Sequence, residues 1–588
     1  MLDPRLYRVA FVPVLLALLV AAFSLQDRPR AIGTTLTPES FDGERAQLTL
    51  ESLVGRFPDR RPGSGADDRM ATEVARQLRE VVPGTVEEHR YSGATIDGTR
   101  DLVDVVATRP GAPGPGLVVV AHRDAAGTNA RAELSATAAL IELATVAADG
   151  RLRRTITFIS TSGGSGGFAG ATEEARRFAG RTDAVLVLGD AASFPGRRPF
   201  VVGFSNAPGQ TPLQLRRTVE NAVRAEAGTD AGGPRALSQF LRMAVPVTVG
   251  EQGPFLRAGH AAVLLSSSGE RPPSVKAPIR SRRMTRFGRA ALRVLYALDR
   301  FRDINAKPRA DLVLRGKVLP GWAVRLVVGT LLLPPLLVGI DAFARLRRRR
   351  EPLTRWIGWA LVGAVPFLMG CLFAVALAAV GLLGPAPDAP IPGLALDLGA
   401  GAVVGFIAIA LLFMLGWLVV RPALLRLLLG RARPDTPGAA IAVSLTTTAV
   451  VLALWVGNPY AAALAIPAVH VWMWTSSPDV PLPRAAGLAL VIAALTPLAL
   501  VGIVDDRAFG LDVVHGVWFW TLLVAGGHVP FGAWVLWSLL AGCGVAAALV
   551  ALRGRRPEDE GPQDVTVRGP VSYAGPGSLG GTESALRR

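Results

Sequence analysis

Cysteine and lysine are the scarce residues of this chain. There are two cysteines in 588 residues. Both, Cys371 and Cys543, fall in apolar segments, so cysteine says nothing about the compartment of the rest. The only lysines are Lys276, Lys307 and Lys317, so the formal charge of +17 is an arginine surplus. Much of that surplus flanks apolar runs, as at Arg345 to Arg350. No zinc-finger spacing and no RNA-binding signature accompany it, so no nucleic-acid partner is expected. No period of the 20–50-residue class recurs, which excludes a solenoid.

Long apolar runs are plentiful, and they are unevenly spread. The chain is 50% hydrophobic, yet residues 26–318 have the composition of a soluble α/β protein. Residues 319–552 carry repeated runs of membrane-spanning length. Spans are expected near 320–341, 357–384, 396–419, 438–457, 460–476, 485–504, 511–527 and 530–552. Residues 7–25 form a further apolar run behind Arg5 and Arg8, either an anchor or a signal peptide, with an anchor the preferred reading. The tail 553–588 is rich in Gly, Pro and charge and is expected to be disordered.

Arginine placement orients the chain. The basic loops 344–355 and 421–434 belong inside, and the base-free loop 384–393 outside. The soluble domain then lies outside a bacterial cytoplasmic membrane, on a multi-pass anchor. Arg553, Arg555 and Arg556 fit this only if one run fails to cross. The short run 511–527, with His515 in it and His528 after it, is the candidate for a re-entrant segment.

Within the soluble part, apolar periodicity alternates. Helices are expected over 69–81, 133–146, 168–178, 212–227 and 284–301, and strands over 102–107, 117–121, 155–160, 184–188 and 262–266. This predicts an α/β fold with a mainly parallel sheet sandwiched by helices. The run Leu117 to Ala121 ends in His122-Arg123-Asp124, and the C-terminal ends of such strands are where α/β sheets bind ligands. A His-x-Asp there either begins a metal site, with the Asp orienting the imidazole, or is a satisfied polar pair.

Three more stretches accompany it: GRFPDRRPGSG at 55–65, TITFISTSGGSGGFAGA at 155–171 and GEQGPFLRAGHAAVLLS at 250–266. Taken in order over about 45–305, these resemble the co-catalytic dizinc aminopeptidase family, peptidase family M twenty-eight. GRFPDRRPGSGADDRMATEVARQL is similar to its Arg-Pro-Gly-Ser entry and first helix, and VVVAHRDAAG to its Ala-His-x-Asp. SATAALIELA is similar to the helix after its Asp-Asn-x-Ser-Gly, and PFLRAGHAAVLL to its Pro-Phe-x-x-x-Gly-x-Pro-Ala strand. The layout also resembles the endoplasmic-reticulum metallopeptidase branch.

The resemblance implies two zinc ions bridged by a carboxylate and a water, each held by a His and a further carboxylate, with a Glu as general base. Carried over, His122 is the first ligand and Asp124 its orienting carboxylate. The bridging position is Ala132, with Glu133 replacing the neighbouring Asn. The Glu-Glu pair of base and ligand becomes Gly164 and Ser165. Asp190 matches the third carboxylate, and the last ligand His becomes Gln252. Only His122 and Asp190 survive as vestigial ligands, so no bound cofactor is expected, or zinc if the site functions. The implied protein is a pseudo-peptidase that binds peptides or a partner protein. Arg123 and Arg131 add positive charge there and are expected to favour an anionic group.

Other classes stay open. A re-sited metal centre would make an active aminopeptidase. Gly163-Gly-Ser165-Gly-Gly167 matches the nucleophile-elbow pattern, with Asp190 and His260 following in triad order. Asp341, Asp397, His470, Asp512, His515 and His528, in or near apolar runs, suit a transporter with an accessory soluble domain.

Overall fold

The computed structural model describes residues 2–149, 152–178, 182–193, 198–301, 309–350, 352–383, 389–392, 399–429, 437–477, 480 and 482–553. Asp397, most of the expected outer loop 384–393 and the tail after 553 lie outside the described residues.

A small sheet joins the two parts of the chain. Its strands are β1 (Gln26–Asp27), β9 (Leu312–Val313) and β10 (Lys317–Leu319). The large sheet is built from β2 (Thr85–Thr95), β3 (Gly98–Arg109), β4 (Ala112–His122), β5 (Arg154–Thr161), β6 (Thr182–Leu188), β7 (Phe200–Val202) and β8 (Ala262–Ser266), in the order β2-β3-β5-β4-β6-β8-β7. The pairs β5–β4, β4–β6 and β6–β8 are parallel. Both flanks are antiparallel, so the sheet is mixed, with parallel pairing confined to its centre. Its middle strand is β4, whose residues Leu117 to Ala121 are all buried. A strand covered on both faces needs an unbroken apolar run rather than alternation, and this is the run read from the sequence.

On one face, helices Gly43–Arg56, Gly65–Val81, Arg131–Ala147, Leu213–Ala227 and Ser281–Asp299 pack over Val119, Phe158 and Leu186. On the other, Val118, Val120, Ile159 and Val187 meet the short helices Ala169–Arg177 and Gln252–Arg257. That second cluster runs on without a break into Leu377, Trp518 and Phe519 of the apolar helices. The α/β part therefore buries one face of its sheet, in part, on the membrane-type helices.

Among the described residues, six helices are long and apolar enough to cross a membrane: Pro4–Phe23, Gly321–Arg348, Leu353–Ala379, Ala400–Leu427, Gly438–Gly457 and Phe531–Leu552. Arg484–Ala493 and Thr496–Phe509 form a pair bent by 42°. Val513–Ala525 is shorter, with 13 residues, and Pro459–Thr475 has 17. Each of the eight runs expected after residue 319 contains helix among the described residues, but not all are of spanning length.

Four of the polar residues noted in these runs, Asp341, His470, Asp512 and His515, have local partners. Asp341 pairs with Arg345. Asp512 accepts from the backbone N–H of Val514 and His515 at 2.9 Å, and its other oxygen faces His515 Nδ1 at 2.7 Å. His470 is bonded on both ring nitrogens, by Tyr7 Oη at 2.7 Å and the Leu331 carbonyl at 3.0 Å.

One polar contact between the two parts has no sequence signature. Arg242, 3% exposed, reaches Glu270 at 2.7 Å and Asp505 of the bent pair at 3.8 Å. Its guanidinium also lies over the rings of Phe204 and Phe509.

Candidate functional site: a cleft at the strand ends

The cleft is assembled where β4, β5, β6 and β8 end. A fully buried arginine shapes its entrance. Arg60 donates through Nε to the Arg123 carbonyl at 2.8 Å and through Nη2 to the Ala130 carbonyl at 2.5 Å. The GRFPDRRPGSG turn thus holds the loop that follows His122. The chain then turns at Asn129, whose φ is +57°, and enters the helix Arg131–Ala147.

A cavity of about 80 Å³ lies between these ends, with His122, Glu133, Ser165, Asp190 and Glu251 in its lining. That volume holds several waters. Pro392, from the loop between two membrane-type helices, completes the wall. Its neighbour Ile391 and Pro392 itself come close to Gly166 of the Gly-rich loop.

Glu270 and Arg271 also line the cavity, and the acids and bases at the strand ends are defined by their partners. Asp124 does not orient His122. Its two oxygens accept from the backbone N–H of Gly164 and of Ser165, each at 2.9 Å. The expected orienting carboxylate is instead the clamp on the Gly-rich loop. His122 Nδ1 faces Glu251 Oε2 at 3.7 Å, and Glu251 Oε1 accepts from Thr161 Oγ1 at 2.5 Å. Burial disfavours the imidazolium, but the Glu251 carboxylate outweighs it and holds His122 up at about 9. Burial likewise lifts Glu133 to about 7, against the pull of His122 and Arg60. Glu133 Oε2 has no hydrogen-bond partner among the described residues.

Asp190 lines the cavity with both oxygens already used. Oδ1 accepts from the N–H of Ala192 at 3.1 Å and of Ser193 at 3.0 Å, and Oδ2 accepts from Ser193 Oγ. Burial raises its carboxyl above the usual range, against these hydrogen bonds.

The substituted positions are equally specific. A Cβ on Gly164 would stand 2.2 Å from His122 Cβ and 2.5 Å from its Cγ. The His122 side chain occupies the space that a glutamate at 164 would need. Ala132 is buried, and its carbonyl accepts from Ser135 Oγ at 2.6 Å. Gln252 is turned away, donating to Thr248 Oγ1 at 2.8 Å. The neighbours Glu133 and Glu251 reach the cavity instead, one position along from each expected ligand. The sequence left open whether Glu133 or Glu251 takes the place of a lost carboxylate, since motif matching counts positions and not side-chain directions; both line the cavity.

Two further expectations are corrected. Arg123 is 0% exposed and points into the core, donating to the carbonyls of Ser160 at 2.9 Å and of Val103. Its Nε lies 2.9 Å from Asp67. It neutralises a buried acid and cannot serve an anion in the cleft, while Arg131 is exposed at the start of its helix and absent from the lining. The triad does not form either. His260 Nε2 bonds the Ala175 carbonyl at 2.8 Å and its ring packs on Phe255, away from the cavity that Ser165 lines.

Do the residues present fit a zinc pair? Asp190 is saturated locally, residue 164 has no room for a side chain, and Gln252 faces elsewhere. Among the described residues, no group of three or more His, Cys, Asp or Glu has metal-holding geometry. The donor set does not fit two bridged zincs, and no hydrolytic step is derived through them.

No family model matches the chain, and no curated protein matches it. Solved structures do resemble it. Glutaminyl cyclase from Porphyromonas gingivalis is 15% identical with a TM-score of 0.34, over 44% of this chain and 98% of that one. A leucine aminopeptidase precursor from Bacteroides thetaiotaomicron gives 14%, 0.34, 44% and 97%. LapB from Legionella pneumophila gives 16%, 0.37, 48% and 80%. At these scores the similarities say nothing about activity, and the reading below rests on the side chains.

Proposed function

We propose that this chain is a membrane-embedded pseudo-peptidase. Its α/β domain would lie outside a bacterial cytoplasmic membrane and bind a peptide or a partner's segment in the cleft. One observation carries the reading: the His122 ring fills the space that a side chain on residue 164 would take. The loss of the Glu at that position is therefore built into the packing of the ligand histidine. The lining carries both signs, with His122 and Arg271 beside Glu133, Asp190, Glu251 and Glu270, so charge alone selects neither a basic group nor the anion that Arg123 and Arg131 suggested.

A second reading has its own support. His122, Glu133, Asp190 and Glu251 share one cavity, so a single re-sited metal would have donors in reach only if at least three of them converged further than they do. Elemental analysis of the full-length protein, with aminoacyl chromogenic substrates, separates the two. The pseudo-peptidase reading expects substoichiometric zinc and no turnover. Two tightly held zincs, or turnover abolished by a chelator, would overturn it. One stoichiometric zinc lost on Glu251→Gln would favour the re-sited centre.

A further inference from the structure

A second cavity, of about 530 Å³, lies away from the cleft, in the region that joins the α/β part to the membrane-type helices. Five arginines line it: Arg28, Arg216, Arg217, Arg235 and Arg315. Among the described residues its lining holds one carboxylate, Glu220.

The internal partners do not balance this charge. Glu220 accepts from Arg216 Nε at 2.9 Å, and its other oxygen is 3.6 Å from Arg217 Nη1. Arg28 Nη2 donates to the neutral Leu314 carbonyl. Arg28 Nε and Arg217 Nε are buried without an acceptor. Burial, then the charges of Arg217 and Arg216, push the Arg28 guanidinium below its usual range. Several guanidiniums crowded round one cavity repel each other, and their planar forks match the oxygens of a phosphate. An arginine donor left buried and unmet is costly until an acceptor arrives.

Position suggests what carries the phosphate. Arg28 follows closely on the first spanning helix, which ends at Phe23, and Arg315 shortly precedes the next, which begins at Gly321. Antiparallel pairing of β1 with β10, Gln26 opposite Val318, ties these two approaches together. An extended chain of that length reaches at most about 20 Å from the helix ends. Arg28 and Arg315 are therefore held within about 20 Å of the ends of those helices, and Leu213, Val313 and Leu314 add an apolar side to the cavity. Clustered basic side chains hold phospholipid headgroups on the cytoplasmic side of membranes, and the same chemistry would serve on the face that carries the α/β part.

We propose that this cavity binds a phosphate group, carried by an anionic phospholipid. The inference is independent of the cleft reading. Its test is lipid retention by the full-length protein in nanodiscs of phosphatidylcholine mixed with phosphatidylglycerol, read by native mass spectrometry. The wild type is expected to retain phosphatidylglycerol over phosphatidylcholine. Arg28→Gln/Arg217→Gln/Arg235→Gln should reduce that preference about tenfold or more. Glu220→Gln removes the competing carboxylate and should increase retention, an effect that poor folding could not mimic. Titration with inorganic phosphate forms the second arm. Variant-sensitive phosphate binding without any lipid preference would overturn the lipid assignment in favour of soluble phosphate. Equal retention of both lipids by all three proteins, with no phosphate binding, would overturn the site.

Discussion

The imidazole of His122 packs against the bare backbone of Gly164, so that a Cβ there would come within 2.2 Å of His122 Cβ. Side chain and glycine are a fitted pair. Gly164→Ala should therefore destabilise the protein by about 1–3 kcal/mol through overpacking, seen as a lowered melting temperature of the full chain in detergent. Gly164→Glu, which reinstates the residue type found in the resembling family, should destabilise at least as much and recover no peptidase activity. A stable Gly164→Glu protein that cleaves aminoacyl substrates would defeat both the packing argument and the pseudo-peptidase reading.

Arg242 joins the α/β part to the bent membrane-type pair through Glu270 and Asp505, all three nearly inaccessible. Removing the one cation leaves two buried carboxylates facing each other. Arg242→Met is expected to cost about 3–5 kcal/mol, measured by thermal unfolding. Adding Glu270→Gln and Asp505→Asn should recover much of that loss, because the uncompensated charge is then gone. If the triple variant melts no higher than Arg242→Met, the penalty is not electrostatic.

Asp104 gives a pH dependence. It is fully buried, accepts from Ser162 N–H at 2.8 Å and Tyr91 Oη at 3.1 Å, and leaves Oδ2 unpartnered. Burial, then the nearby Glu174, push its carboxyl well above the usual range. An acid whose folded value is raised contributes fully below its unfolded value of about 3.9, and loses that contribution as pH rises through the folded one. Stability should thus decline from mildly acidic toward alkaline pH. Asp104→Asn should flatten the slope. Melting curves across that range decide the point, and an unchanged slope in the variant would assign the dependence elsewhere.

Tyr7 fixes the N-terminal helix to the rest by its hydroxyl contact with His470 and an edge-on contact with Trp474. Tyr7→Phe should cost about 1 kcal/mol in a thermal melt. The intact mass of the purified protein should include this helix, as an anchor requires. A mass corresponding to cleavage near Ser24 would identify a signal peptide.

The centre of the fold was legible because burial on both faces writes an unbroken apolar run, as in Leu117 to Ala121. Strand β2 was missed: Glu87, Glu88, His89 and Arg90 lie along it, and at a sheet edge one face can stay polar. The helix Gly43–Arg56 escaped for a similar reason, with its apolar stripe interrupted by charge. At the site, His122 could be read from its place at a strand end. Glu133 and Glu251 could be named only as candidates to replace a lost carboxylate, because which of two adjacent side chains enters a cleft depends on the rotation of a short helix or turn. Arg242 and Asp505 lie 263 residues apart in a chain of 588, and nothing local announces their pairing.

Pro392 and Ile391 reach the Gly-rich loop from a connection between two membrane-type helices. The cavity is therefore a shared possession of both halves of the chain. An excised α/β fragment would lack part of its own roof and would offer ligands a wider, wetter opening than the intact protein. Affinities from such a fragment would describe a different receptor. Conversely, a shift of the helices bracketing Pro392 would alter the cleft without touching one residue of the sheet.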